Sequence, residues 1–293
     1  MKKYLSILVA ATALCSCQPK ANYMLDNCPD IHDLVSGELL SPRQARKAPG
    51  CYGTIHTRLF DVEQTISFIR FRPEAFSTTI VTAEREDADS TSALCLASGA
   101  LGGINGSYFN VKDLITTCFI KDDGQVIGET SPSEYFRTNG VITFSETDFS
   151  IDACDTAAVY DGADACWEVM AGGPILIDEG VSVTYTDSTV VSGWKRFYAK
   201  RHPRTLVGRE ENGTTWLVVV DGRVKDKAEG MTIAELTTLG EMMQWRDAIN
   251  LDGGGSATIW TLHGGVLNHP VDNHRYDSDG ERIVPNILTV SAL

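Results

Sequence analysis

Apolar and polar positions alternate over short stretches along most of this chain, which is the period-two signature of half-buried strands. Residues 65–72 set the pattern, with Ile66 and Phe68 followed after a change of phase by Ile69 and Phe71. Further strands are predicted at 79–83, 140–144, 169–178, 205–208, 215–221, 248–252, 257–262 and 286–290. One helix stands out at 233–245. There Thr232 and Glu235 have capping-box spacing, and Ile233, Leu236, Gly240 and Met243 trace one face. The expected fold class is α+β, a predominantly mixed or antiparallel β-sheet core with a few helices in a single domain, and no internal repeat is found.

The first twenty residues break this pattern. Lys2 and Lys3 precede an apolar run at 5–14, and then comes Leu14-Cys15-Ser16-Cys17. The run is too short to cross a hydrocarbon layer of about 30 Å, so it is expected to be a cleaved signal ending in a lipobox, with Cys17 as the lipid anchor. A plain secretory signal is the alternative. Residues 1–16 would then be removed. Residues 17–53, polar and carrying Pro19, Pro29, Pro42 and Pro49, are expected to be a tether and covering segment ahead of a domain at 54–293. Gln18 is not the Asp associated with inner-membrane retention, so the expected location is the cell envelope, at the outer membrane and held by lipid only.

Export favours disulfides. Beside Cys17, cleavage leaves Cys28, Cys51, Cys95, Cys118, Cys154 and Cys166, an even number with no C-x-x-C pair to suggest zinc. Pairing of sequence neighbours is expected: 28 with 51, 95 with 118, 154 with 166.

Composition narrows the partners. The chain has 293 residues, of which 43% are hydrophobic, enough for a substantial core. Its net charge of -14 would repel a phosphate backbone, and no basic cluster with interleaved aromatics offsets it, so nucleic-acid binding is disfavoured. A small phosphate-containing substrate is compatible, since a few local donors override an acidic field.

Candidate chemistry gathers where glycine-rich turns end apolar strands. In residues 102–110, Gly-Gly-Ile-Asn-Gly-Ser-Tyr-Phe-Asn, small residues let a ligand approach the backbone, and Asn105 offers both a donor and an acceptor. A tight turn with a buried amide reads the same way. His202-Pro203-Arg204-Thr205 sets a guanidinium, well shaped for phosphate or carboxylate, at the start of a strand, with His202 read as structural. The run Trp216 to Val220 suits a buried strand and delivers Asp221-Gly222-Arg223 at its end; Asp221 is either functional or a turn cap. The sharpest signal is Asn250-Leu251-Asp252-Gly253-Gly254-Gly255-Ser256, whose three glycines could wrap a phosphate with backbone N–H groups beside a carboxylate. A strand follows it rather than a helix, so it is not a dinucleotide fingerprint. Nor is Ser256 a nucleophile elbow.

Taken together and in order, these motifs resemble the phosphodiester glycosidases over residues 99–290. The motifs are Asn105-Gly106-Ser107-Tyr108-Phe109, Gly172-Gly173-Pro174, Pro203-Arg204-Thr205 with Gly208, Asp221-Gly222-Arg223, and 250–256, followed by Asn268 and Glu281-Arg282. The chain departs from the family pattern at Ser107, at Ala257 and through 225–229.

The resemblance implies a single catalytic domain that hydrolyses the glycosidic bond of a sugar-1-phosphodiester, such as an N-acetylglucosamine-1-phosphodiester, to free sugar and phosphomonoester. A cationic, oxocarbenium-like sugar needs a carboxylate to stabilise it or to activate water, and the candidates are Asp252, Asp221 and Glu281. Substrate or phosphate contacts are expected from Asn105, Tyr108, Arg204, Thr205, Gly253, Gly254, Gly255 and Ser256. The partner is a carbohydrate phosphodiester. No cofactor is required and no metal ligand is assigned, with a divalent cation such as calcium left open. Two other classes remain. One is a surface glycan-binding module. The other is a metal-dependent phosphodiesterase, suggested by Asp272, Asp277, Asp279 and Glu281, though that stretch misses the spacing of a calcium loop.

Overall fold

The computed structural model describes residues 24–27, 48–144, 149–154, 168–185 and 194–293. The fold is β-rich and almost entirely antiparallel, with three short α-helices among the described residues. The strands that position the site are β1 (Gly50–Leu59), β2 (Val62–Phe71), β3 (Phe76–Thr82), β4 (Gly102–Asn105), β5 (Gly140–Phe144), β6 (Glu168–Gly172), β7 (Ile175–Asp178), β8 (Arg204–Arg209), β9 (Thr215–Val220), β10 (Asp247–Asn250), β11 (Ile259–Thr261) and β12 (Asn286–Ala292). The helices are α1 (Thr91–Ala97), α2 (Trp194–Tyr198) and α3 (Ile233–Met242).

An eight-stranded sheet runs β1-β2-β9-β8-β10-β7 through its centre, and two five-stranded sheets are built around β6-β5 and β11-β4-β12-β3. The large sheet is buried on both faces, which explains the unbroken apolar run of β9. Leu217 and Val219 face a core shared with Ile104, Ile142 and Leu288 of the two smaller sheets. Trp216, Val218 and Val220 face the opposite way, into a cluster under α3 with Ile233, Leu236 and Trp245. Each such side chain is nearly inaccessible, and burial of this kind stabilises by about 1.5–3 kcal/mol per large apolar group. At its N-terminus α3 carries the expected capping box: Thr232 Oγ1 accepts from Glu235 N, and the Glu235 carboxylate accepts from Thr232 N.

Four expectations change. The covering segment assigned to 17–53 already contains the start of β1 at Gly50, which pairs along its whole length with β2. The single strand expected at 169–178 is two, β6 and β7, which join different sheets across the cis Gly173-Pro174 peptide. Residues 102–105, read as part of a turn, form the central strand β4. Cys95 and Cys118 are not joined: α1 packs Cys95 with Trp260 and Ile287, whereas Cys118 packs with Tyr108 and Val141 and contacts Thr138 Oγ1 at 3.4 Å. Burial raises both thiols well above their ordinary value, that of Cys118 to about 11. Cys28 and Cys166, the expected partners of Cys51 and Cys154, lie outside the described residues, as do the signal segment and Cys17. Among the described residues no helix is long and apolar enough to cross a membrane.

Candidate active site

Three of the sequence motifs meet at one end of the large sheet because of strand register. Arg204 opens β8 opposite Val220, the last residue of β9, so Asp221 follows directly beside it. On the other side β8 pairs with β10, and beyond the ladder Leu251 N donates to Thr205 O at 2.8 Å and Gly254 N donates to Pro203 O at 2.9 Å. The Asp221, Pro203-Arg204 and Asp252-Gly253-Gly254 segments are thereby stacked edge to edge. Their closeness explains a glycine: a Cβ on Gly253 would lie 2.5 Å from Pro203 O.

These segments floor a cleft of about 630 Å³ that Asp252, Gly253, Gly254, Pro203 and Arg204 line together. Its other walls are Phe136 and Arg137, from the loop before β5, Arg196 and Phe197 of α2, His202, and Arg223. Another cavity, between α3 and the sheet, is lined by apolar side chains such as Phe68, Trp216 and Trp245 and by no titratable group. In a chain of net charge -14, the cleft is a cationic exception: four guanidinium groups surround one carboxylate.

Asp252 reaches that cleft while packed closely by protein. Burial holds its carboxyl above the usual carboxylate range; hydrogen bonds from Ser256 and Gly253 N and the charges of Arg137 and Arg282 partly offset this. Its backbone is pinned from behind. Asn105 Nδ2 donates to Asp252 O at 2.6 Å, while Asn105 Oδ1 accepts from Thr205 Oγ1 at 2.7 Å and Thr258 N at 3.1 Å.

Arg204 is almost wholly buried, and its guanidinium binds the carbonyls of Met231 (2.9 Å), Phe197 (2.6 Å) and Lys200 (3.2 Å). It thus ties α2 and the segment before α3 to the site, and Nη1 is the nitrogen left without a protein partner among these bonds. Desolvation pushes its pKa down to about 10. Arg137, which no motif flagged, lies over the Tyr108 ring and pairs with Glu134 at 2.5 Å. Burial would depress this guanidinium, but Tyr108, Glu134 and Asp252 more than compensate and raise it.

Several expected contacts are redirected inward. Asn105 and Thr205 are buried and bond each other, so they brace Asp252 rather than face a ligand. Tyr108 is buried as well; its hydroxyl donates to Gly173 O at 2.6 Å and accepts from Asn250 Nδ2 at 2.9 Å, leaving its ring as the platform under Arg137. Asp221 accepts from Asn268 Nδ2 and His269 N, each at 3.0 Å, and from His269 Nδ1 at 2.8 Å, and it is 1% exposed. Its carboxylate anchors the loop that follows β11 and does not open onto the cleft. Glu281 is elsewhere: its carboxylate accepts from Ser92 N at 2.9 Å and from the Ser92 hydroxyl, at the start of α1. Gly253 and Gly254 line the cleft, whereas Gly255 and Ser256 are buried behind them, with Arg282 Nη1 near Ser256 Oγ at 3.5 Å.

The acid-rich stretch does not gather into a metal site. Asp272 pairs with Arg282 at 2.5 Å, Asp277 accepts from Asn273 Nδ2 at 2.8 Å and from Asp279 N, and Glu281 serves α1. The groups that sequence reasoning missed are Arg137, Arg196 and Arg223. Only Arg223 carried a signal, as the third residue of Asp221-Gly222-Arg223.

A β-rich fold with one carboxylate in an arginine-lined cleft has the makings of a hydrolase for anionic substrates. The phosphodiester glycosidase family model matches residues 98–291, and the chain belongs to that family. Among curated proteins it is similar to N-acetylglucosamine-1-phosphodiester alpha-N-acetylglucosaminidase of Mus musculus (29% identity) and Bos taurus (30%), each over 105 residues. The matched stretch is 36% of this chain and only 20% and 19% of those proteins. Among solved structures, it resembles the zebrafish catalytic domain of that name, auto-inhibited by its pro-peptide, at a TM-score of 0.63 and 17% identity, covering 83% of this chain and 82% of the other. A hypothetical protein from Synechocystis matches with a TM-score of 0.61 and 13% identity, covering 82% and 61%. At these identities the structural matches establish the fold.

Proposed function

We propose that this protein hydrolyses the glycosidic bond of a sugar-1-phosphodiester, releasing free sugar and a phosphomonoester. The observation that carries the reading is that Asp252 and the guanidinium groups of Arg137 and Arg204 share one cleft. A phosphate is a good leaving group and needs little protonation, so one carboxyl suffices where ordinary glycosidases use two. The C1–O bond breaks, its electron pair leaves with the phosphate, water oxygen bonds to C1, and Asp252 accepts the water's proton. Arg137 and Arg204 Nη1 hold the phosphate as its charge grows, and the missing side chains at Gly253 and Gly254 leave it room beside the turn. The names of the curated relatives make N-acetylglucosamine the first sugar to test.

The experiment is product analysis with N-acetylglucosamine-1-(methyl phosphate). Free sugar and methyl phosphate are expected from the unaltered protein, and none from a folded Asp252→Asn variant. Full activity in that variant, or release of sugar phosphate instead, would overturn the reading. Export and lipidation at Cys17 form part of the same proposal, supported by the Leu14-Cys15-Ser16-Cys17 sequence. Palmitate labelling that persists in Cys17→Ala would refute them.

A further inference from the structure

The cleft holds more positive charge than the proposed reaction uses. Arg137 is balanced by Glu134, and Arg204 is bound to three carbonyls. Arg196 and Arg223 differ. Both are exposed at the cleft, and among the described residues neither guanidinium has a hydrogen-bond or ion-pair partner. They arrive from separate elements, Arg196 on α2 and Arg223 from a left-handed residue (φ 66°) just after β9. The two groups act on each other: Arg223 is held below its ordinary value first by burial and then by repulsion from Arg282 and Arg196, which together outweigh the attraction of Asp272 and Asp252. His202, also in the wall, is likewise lowered, by burial first and then by Arg204, Arg223 and Arg196, despite the Arg196 carbonyl that its Nε2 meets at 3.0 Å. Two cations that no carboxylate pairs with directly, converging on one cleft from two elements, are most simply relieved by an anion.

We infer that Arg196 and Arg223 form a second anion subsite, and that the preferred substrate carries another anionic group, a phosphate or a carboxylate, beyond its phosphodiester. This rests on the proposed function, which sets the orientation. If Asp252 faces the anomeric carbon and Arg137 and Arg204 hold the phosphodiester, the next group outward belongs to the aglycone. A single phosphodiester brings one negative charge, which leaves this pair unmatched. Selectivity therefore comes from charge on the aglycone.

Calorimetric titration in chelator-containing buffer tests the subsite without requiring turnover, using three probes. Methylphosphonate offers one anionic group, phosphonoacetate adds a carboxylate, and methylenediphosphonate adds a second phosphonate. The unaltered protein is expected to bind both two-group probes about tenfold more tightly than methylphosphonate, a preference that shrinks as salt rises. Which of the two binds better identifies the second group. Arg196→Gln and Arg223→Gln should each cut the preference about threefold, and the double variant should abolish it. Equal affinity for all three probes, or a preference that survives the double variant, overturns the inference. Hydrolysis of N-acetylglucosamine-1-(methyl phosphate), measured in parallel, reports on the underlying reaction separately, so failure there is distinguishable from failure of the subsite.

Discussion

The Arg137 guanidinium carbon lies 3.7 Å from the centre of the Tyr108 ring, and its Nε is 2.5 Å from a Glu134 oxygen. Held from below by the ring and from one side by the carboxylate, the planar fork is oriented before any ligand arrives. Tyr108 is itself fixed through Gly173 O and Asn250. Orientation of this kind is what a lysine cannot reproduce, since an ammonium neither stacks as a plane nor donates as a fork. Arg137→Lys is therefore expected to lower kcat/KM for a sugar-1-phosphodiester by about 100-fold, or ~2.7 kcal/mol, with Arg137→Ala lower still. Steady-state kinetics decide it. Wild-type kcat/KM in the lysine variant would show that only charge matters.

Glu281 makes the opposite case. Its carboxylate caps the first turn of α1 through Ser92, alongside the Ser90 cap that receives Ala93 N at 3.3 Å. Glu281→Ala should destabilise the protein by about 0.5–2 kcal/mol and leave turnover of the same substrate within a factor of two. Thermal melting and kinetics on one preparation read both effects. Loss of activity at unchanged stability would restore Glu281 as a catalytic candidate.

What could be read in the sequence follows from how local each signal is. Strands with unbroken apolar runs, such as β9, and the helix announced by Thr232 and Glu235 were legible because burial and capping leave marks within a few residues. Strand β4 was not, because Gly102-Gly103 carries no apolar alternation. Those glycines exist to let other groups close: a Cβ on Gly103 would meet Leu288 O at 2.5 Å and Cys95 Sγ at 2.6 Å. In the site, the Asp252-Gly253-Gly254 turn was visible, but the difference between a carboxylate facing the cleft and one bound inward was not. Asp221 stands at the end of an apolar strand, as Asp252 does, yet His269 and Asn268, 48 and 47 residues away, claim it. Arg137 belongs to no local pattern at all. Its role depends on Tyr108, which reaches it only through the folded chain.

Two glycines separate crowding from backbone conformation. At Gly253 a Cβ would press on Pro203 O at 2.5 Å, a backbone atom that cannot swing away. Gly265 has φ 68°, but a Cβ there would meet nothing within 4 Å. Gly265→Ala should cost roughly 1–2 kcal/mol of stability, the price of a left-handed alanine, and spare activity. Gly253→Ala should cost about 1–3 kcal/mol and in addition lower kcat, because relief of the contact pulls the Asp252 turn away from β8. Denaturant melts and kinetics on both variants test this, and an active Gly253→Ala enzyme would show that the turn tolerates displacement.

The last prediction concerns Asp252 and pH. Burial raises its pKa in the folded protein above the unfolded value of about 3.9, so between these two values the folded state holds more protons than the unfolded one. Stability from this group is therefore present at low pH and is lost as pH rises through the raised value. Above the raised value the ionised carboxylate is a net cost that Arg137, Arg282, Ser256 and the Gly253 amide reduce without cancelling. Asparagine mimics the protonated carboxyl, so Asp252→Asn should melt at a higher temperature than the parent at pH 7. The gap should close as pH falls toward 4. Melting curves across that range decide the matter. A variant that melts lower than the parent at pH 7 would mean that the surrounding cations outweigh desolvation, and that Asp252 enters the reaction as an ordinary carboxylate and not as a strained base.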